Sequence, residues 1–381
     1  MMLKTAYQKY LLFSILIIFF LINTSCDQKN DVSKKETKAE TGIKKAFAEG
    51  REYDLFIIGD NIRSDESIQS IIEDIFEIPV PVLPQNESLF RSVFLDVKDM
   101  DDKIKKNLSL LFLDIEDDEN NTKAFLKSHF ADIDLMLGEN ESFKYNILEN
   151  SWVYPQKIII CSASDLTAMK EGLSKNKYVL IREFENSEKL RIKRRVYANG
   201  RNNTQSNQLY KNFKLSMSVP KGYVNILERK NQRDTLLQKT GLSSLIWYRW
   251  TTEQANSNFI IYTMPYNKSS LPSDAELLMI KNRLTKKLVH GQNTGSYLTT
   301  ATKHYAPQGK NLRMGNLETR EIRGLWETEG DWMGGPFIFY AMNDPAHERI
   351  VFIDAFVYAA GISKKPFLKR FEAIFETIRP Y

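Results

Sequence analysis

Residues whose types could do chemistry are few in this chain, and most lie past residue 245. Arg249, Glu321 and Arg323 sit inside runs that read as strands, where an isolated charge is costly unless paired. In Arg349–Tyr358 the alternation puts Val351, Ile353, Ala355 and Val357 on one face. Phe352, Asp354, Phe356 and Tyr358 then share the other, one acid among aromatics. Trp247, Trp250, Trp326 and Trp332 fall in the same half, leaving Trp152 alone in the first. Amphipathic rings around charges of both signs suit a groove for a polar ligand. This reading assigns binding to Arg249, Glu321, Arg323, Trp326, Trp332 and Asp354, with Gly334 and Gly335 allowing close backbone approach. The same residues also suit a second core layer closed by an internal Asp–Arg pair. Glu321 and Asp354 are, in addition, the carboxylates a hydrolase of an envelope polymer would use, which requires a separation of roughly 5–10 Å across an open cleft.

Other chemistry finds little support. His129, His290, His304 and His347 show no HxH, HExxH or Cys/His spacing, so no metal site is expected, and no cofactor either. No GxSxG elbow and no P-loop occurs. Gly334-Gly335 is followed by Pro336 and a strand-like run instead of a helix N-terminus, which makes a tight connection between strands the better reading than a phosphate cradle. Cys161 sits in an apolar run, Ile158-Ile-Ile-Cys161, and reads as a small buried hydrophobe.

The address is written at the N-terminus. Lys4 and Lys9 precede an apolar run from Leu11 to Ile22, broken only by Ser14, and Asn23-Thr-Ser-Cys26 follows. The run is short of the roughly 20 apolar residues that span a bilayer. Small residues before a cysteine predict a bacterial lipoprotein signal peptide over 1–25, with acylation of Cys26 and a membrane contact through that lipid. Residues 26–51 are polar and charged, as a flexible tether would be. With Cys26 acylated, Cys161 has no disulfide partner. Removing 1–25 takes Lys4 and Lys9 with it and lowers the formal charge from +5 to +3, which gives no support for nucleic acid as a partner. The one strongly basic run, Lys189, Arg191, Lys193, Arg194 and Arg195, reads as the solvated end of a helix, with attraction to anionic headgroups as the alternative.

The body that must position these groups divides at Ala198–Gln208, which is polar and turn-rich. Residues 52–197 predict an α/β domain: strands near Tyr53–Gly59, Ser92–Val97, Leu108–Ile115 and Ile158–Cys161, with helices over Ser64–Glu77 and about Ser164–Ser174. Residues 208–381 predict an α+β domain with a mostly antiparallel sheet. Its strands are expected at Phe213–Val219, Leu245–Trp250, Phe259–Met264, 296–305, 317–326, 336–342 and 349–358. One helix follows the capping box Ser273-x-x-Glu276 and another closes the chain from Ser363, both on one side of the sheet. The fold class is thus α+β and α/β, two sheet-plus-helix sandwiches behind a signal peptide and tether.

Several segments are familiar in order. Leu83-Pro-Gln85 with Glu87 and Phe90, Trp152 with Pro155-Gln156, Pro220-Lys-Gly-Tyr223, Ile261-Tyr-Thr-Met-Pro-Tyr266, Glu321-Ile-Arg-Gly-Leu-Trp326, Gly330-Asp-Trp-Met-Gly-Gly-Pro-Phe337 and Asp354-Ala-Phe-Val-Tyr358 resemble the Bacteroidota lipoprotein family known as domain of unknown function 4837, from about Tyr53 onward. The resemblance implies a cell-envelope lipoprotein of that phylum and brings no activity or catalytic residue; it is the pattern before Cys26 that predicts a folded body facing the periplasm. A non-catalytic binding or assembly module with an envelope protein or glycan partner is therefore expected, with the hydrolase as the alternative.

Overall fold

The computed structural model describes residues 45–116, 120–130, 141–303 and 305–380, so that Cys26, the predicted signal peptide and His304 lie outside them. The apolar runs of the first half become β1 (Asp54–Gly59), β2 (Arg91–Asp96), β3 (Ser109–Ile115), β4 (Phe143–Glu149) and β5 (Lys157–Ala163). Interspersed are α1 (Glu66–Phe76), α2 (Asn121–His129) and α3 (Leu166–Val196). The strand order is β2-β1-β3-β5-β4, parallel except for β4, which pairs antiparallel with β5. β1, β3 and β5 are covered on both faces, which explains why they read as apolar runs, whereas β4 is part-exposed and was not expected from the sequence. Leu55, Ile57, Leu111 and Ile159 pack under α1 and α3, while Ile58, Leu110, Phe112 and Ile160 pack with Leu126 of α2. Asp65 starts α1 by accepting from the backbone N–H groups of Ser67 and Ile68, two donors the first turn leaves unpaired.

α3 runs far beyond Ser174. Met169, Leu173, Leu180, Phe184 and Ile192 are its buried apolar face. The polar stretch Lys175–Tyr178 interrupts that spacing in the sequence, but nothing after it breaks a helix. Near its start a Cβ on Gly172 would stand 2.1 Å from the Phe143 ring, so only glycine admits this approach. Residues 45–51, expected as tether, run against the first sheet instead: Phe47 bridges Tyr154 and Glu49 bridges Asn107.

The second half opens with α4 (Asn203–Phe213), a helix where a linker was expected. Asn202 caps it, and its apolar side is Leu209 with Phe213, which lie beyond the polar window that hid it. Phe213 closes this helix, so the strand expected over 213–219 shrinks to β6 (Leu215–Ser216). Then follow β7 (Val224–Arg229), α5 (Thr235–Thr240), β8 (Ser244–Thr251), β9 (Asn256–Pro265) and α6 (Asp274–Leu288). The chain ends through β10 (Tyr297–Ala301), β11 (Gln308–Met314), β12 (Leu317–Glu329), β13 (Gly334–Asp344), β14 (Arg349–Tyr358), α7 (Lys365–Phe375) and β15 (Arg379–Pro380).

Eight of these strands form an antiparallel sheet in the order β10-β12-β13-β14-β9-β8-β7, with β11 also paired to β12, while β6 and β15 pair separately. The two long helices do not share a side. Leu277 and Leu284 of α6 pack with Trp247, Ile260, Phe339 and Phe352 on one face. Phe371, Ile374 and Phe375 of α7 pack with Ile246, Ile261, Tyr340 and Ile353 on the other. The central strands β9, β13 and β14 are buried on both faces, and a helix on each is what such strands require. The two halves meet through α7. Its Ala373 joins the core beneath α3, and Glu87 supplies the cap the helix lacks, accepting from the backbone N–H of Lys364 at 2.7 Å and of Lys365 at 3.0 Å.

Candidate functional site

A cleft of about 640 Å3 opens where α7, the β11–β12 hairpin and the middle of α3 come together. Its floor is a chain of alternating charges. Arg323 grips Glu321 with two parallel bonds, Nε to Oε1 at 2.8 Å and Nη2 to Oε2 at 3.1 Å, the fork geometry that suits a carboxylate. The Tyr340 hydroxyl donates to Glu321 Oε2 at 2.7 Å, and Lys310 Nζ lies 3.0 Å from Oε1. Arg323 Nη1 also reaches Glu372 of α7 at 2.7 Å. Lys369, one turn earlier, stands 3.3 Å from Glu372 and 3.3 Å from Glu185 of α3. Burial alone would raise the Glu321 carboxyl, but hydrogen bonding and charge from Arg323, with help from Tyr340 and Lys310, outweigh it and hold Glu321 at about 2. Glu372 moves the same way: burial opposes, and Lys369 and Arg323 prevail.

Asp354 stands elsewhere. Register places Glu321 opposite Tyr340 and Tyr340 opposite Ile353, whereas Ile322 faces Phe339 and Phe339 faces Asp354. Glu321 and Asp354 thus point to opposite faces of the sheet and cannot flank one scissile bond, which removes the geometry the hydrolase needs. The partner of Asp354 is not an arginine either. Lys281 of α6 approaches it, Nζ to Oδ2 at 3.9 Å, with both side chains 0 % exposed. Burial raises the Asp354 carboxyl and lowers the Lys281 amine, and the mutual charge only partly opposes this.

The remaining candidates scatter. Trp326 is core: its indole N–H donates to the Val357 carbonyl at 3.2 Å and its ring packs on Phe356. Beside it a Cβ on Gly335 would lie 2.2 Å from the same carbonyl, so the glycine is needed for strand packing. Arg249 is half-buried, donating to Asn258 Oδ1 at 2.9 Å with its guanidinium over Trp247. Trp332 is 100 % exposed at the tip between β12 and β13. Of the six proposed ligand residues, then, the structure brings together Glu321 and Arg323 only. Lys310, Tyr340, Lys369 and Glu372 complete that group. Lys369 and Glu372 carried a readable signal, an i,i+3 opposite-charge pair on the polar side of a predicted helix; Lys310 carried none, because β11 has no apolar alternation.

Other residues resolve into structural roles. Burial pushes the Cys161 thiol well up and away from reactivity. Arg191 is buried, bound to Glu188 and to the carbonyls of Glu49 and Arg51. Arg194 lies over the rings of Phe47 and Tyr154, and Arg195 pairs with Glu52. The basic run thus fastens the entering chain to α3 and is not simply a solvated helix end. Among the described residues no group of three or more His, Cys, Asp or Glu stands where it could hold a metal ion. No described helix is long and apolar enough to cross a membrane.

Residues 202–377 match a family model described as a domain of unknown function (DUF4837), and residues 48–197 match a second, also described as a domain of unknown function (DUF8532). No curated protein matches the chain. The expected resemblance is met for the second half. The landmarks from Leu83 to Gln156 fall under the other model, so the likeness to DUF4837 does not reach back to Tyr53.

Proposed function

We propose that the chain is a lipid-anchored protein of the cell envelope, acylated at Cys26 and facing the periplasm. It binds or assembles with an envelope protein or glycan through the cleft beside Arg323. The observation that carries the binding reading is the state of Glu321. A general acid or base works best with a pKa near the operating pH. Glu321 is held at about 2, and both its oxygens are committed to Arg323, Lys310 and Tyr340. Such a carboxylate fixes the shape and charge of a surface and has no proton to give. Around it, Lys189 and Arg313 reach the cleft with no ion pair among the described residues, which leaves them to meet acidic or hydroxyl-rich groups on a partner. The anchor reading rests on the pattern before Cys26.

Photo-cross-linking in native cells tests both parts. A photoreactive residue in place of Arg313 in the full chain should give a discrete adduct, while one at Lys239, exposed on α5, should give none. Cys26→Ala should move the protein out of the membrane fraction and weaken that adduct. No adduct from position 313 would defeat the cleft as a docking surface. A Cys26→Ala protein that stays in the membrane fraction would defeat the anchor.

A further inference from the structure

The pair at the centre of the other core is out of place as an ion pair. Lys281 and Asp354 are both fully buried, yet neither Asp354 oxygen and not the Lys281 amine hydrogen-bonds to any described residue. Their surroundings are aromatic. Lys281 Nζ stands 4.4 Å over the Phe337 ring, and Phe339 and Phe352 stack beside Asp354 on its face of the sheet, at 5.7 Å between ring centroids. The Tyr262 hydroxyl, also buried and without a described partner, senses the charge of Asp354. Desolvation of this degree disfavours a separated ammonium and carboxylate and favours a neutral amine facing a neutral acid.

We propose that Lys281 and Asp354 are the site of an intramolecular amide cross-link between α6 and β14. The two groups are a nucleophile and an electrophile held in mutual contact, away from water. The lone pair of the neutral Lys281 amine attacks Cγ of the protonated Asp354 carboxyl. The new C–N bond forms as one C–O bond breaks, and the departing hydroxyl takes a proton from the nitrogen. One water leaves, nothing is oxidised or reduced, and no co-reactant is required. Nζ and Oδ2 stand 3.9 Å apart, so bond formation requires the lysine side chain to shift towards Cγ. The product replaces two buried ionisable groups by one neutral amide, and ties the helix on one face to a central strand of the sheet.

Two features make the pair better suited to this than the other buried charges. Lys157 is almost as buried, but Glu183 at 3.0 Å and a second acid, Glu149, both engage it, and those ion pairs raise its pKa despite burial. Glu188 is equally enclosed but is gripped by Arg191, whose guanidinium is no nucleophile, and it accepts from the Tyr53 backbone N–H. Among the described residues, Lys281 and Asp354 have no charged partner but each other.

The test is a mass measurement on the full chain purified from native cells, denatured and digested with a protease that cuts after lysine. The expected result is one branched peptide joining the segment around Lys281 to that around Asp354, lighter than the two together by one water, with cleavage after Lys281 lost. In the Lys281→Met chain the branched species should vanish, with the Asp354 peptide recovered at its ordinary mass. Recovery of unmodified Lys281 and Asp354 peptides from the wild-type chain overturns the proposal, as does a water loss that maps to other residues. Should the Lys281→Met protein fail to fold, the wild-type digest decides alone.

Discussion

Glu321 on β12 and Asp354 on β14 are acids of one sheet, one strand apart, and each is shielded from water. On the α7 face Glu321 is met by a guanidinium fork, a phenol and an ammonium, and the chain of charges continues through Arg323, Glu372 and Lys369 to Glu185. On the α6 face Asp354 meets one amine at 3.9 Å and otherwise apolar carbon, with Phe339 and Ile260 as its neighbours on the flanking strands. The difference teaches how burial acts on a carboxylate. Where enough donors converge, the ionised form wins despite desolvation and the pKa falls; where a single partner stands off, desolvation wins and the pKa rises. The first arrangement opens onto a cleft and suits recognition. The second is sealed and suits a cross-link or a neutral pair.

The sharpest way to break this comparison is to remove one partner from the sealed site. Asp354→Leu leaves the Lys281 amine buried alone and should cost about 3–5 kcal/mol. Lys281→Met combined with Asp354→Leu should recover the larger part of that loss, because two apolar side chains suit an aromatic enclosure. Urea unfolding of the three proteins reads both effects. A cost below about 1 kcal/mol for Asp354→Leu would mean that this site is less confining than its burial implies.

The open site should instead announce itself in acid. The folded-state pKa of Glu321 lies below its ordinary 4.5, at about 2. Its contribution to stability is therefore fully present above pH 4.5 and is lost as pH falls from there towards 2, in total roughly 3 kcal/mol by linkage. Glu321→Gln should flatten that part of the stability curve, measured by urea unfolding between pH 7 and pH 3. Asp354 has the opposite sign: its raised pKa means that an ionising, unlinked Asp354 would weaken the fold as pH rises, while the amide would not titrate at all. An acid limb unchanged in Glu321→Gln would remove Glu321 as its source.

How much of this was legible follows the same physical lines. Strong periodicity was readable: the two faces of β14 divide at Val351, Ile353, Ala355 and Val357 as the alternation implied. The capping box at Ser273 and Glu276 forms as expected at the start of α6. Elements held by tertiary contacts were not readable. β11 is polar over 308–311, has only Leu312 and Met314 as apolar residues, and is held by the edge β12 offers it, and α4 hides its two buried residues behind a polar first turn. The site was half legible. Charges inside strands drew attention to Arg249, Glu321 and Arg323, but the internal pair expected was Asp–Arg, whereas the structure pairs Glu321 with Arg323. Which face each strand charge occupies depends on register across β12, β13 and β14, and the partner of Asp354 sits on a helix 73 positions upstream, at Lys281. Local spacing contains neither fact.

Trp326 and Trp332, six positions apart, give the smallest expected effect and a clean check on the exposed rim. Trp326 fills the α6-side core, and Trp326→Ala should cost about 3–5 kcal/mol, as large buried rings do. Trp332 differs by position alone. The tip that bears it is held without it: Asp331 accepts from the backbone N–H of Gln292 at 2.6 Å, Asn293 donates to the Gly330 carbonyl at 2.9 Å, and Thr328 pairs with Met333 on both sides of the turn. The indole itself is 100 % exposed and touches no core. Trp332→Ala should therefore change stability by less than about 0.5 kcal/mol, with a thermal midpoint close to that of the wild type. A loss as large as that of Trp326→Ala would mean that the ring is covered in solution. The tip, and not the cleft beside Arg323, would then be the surface that another molecule occupies.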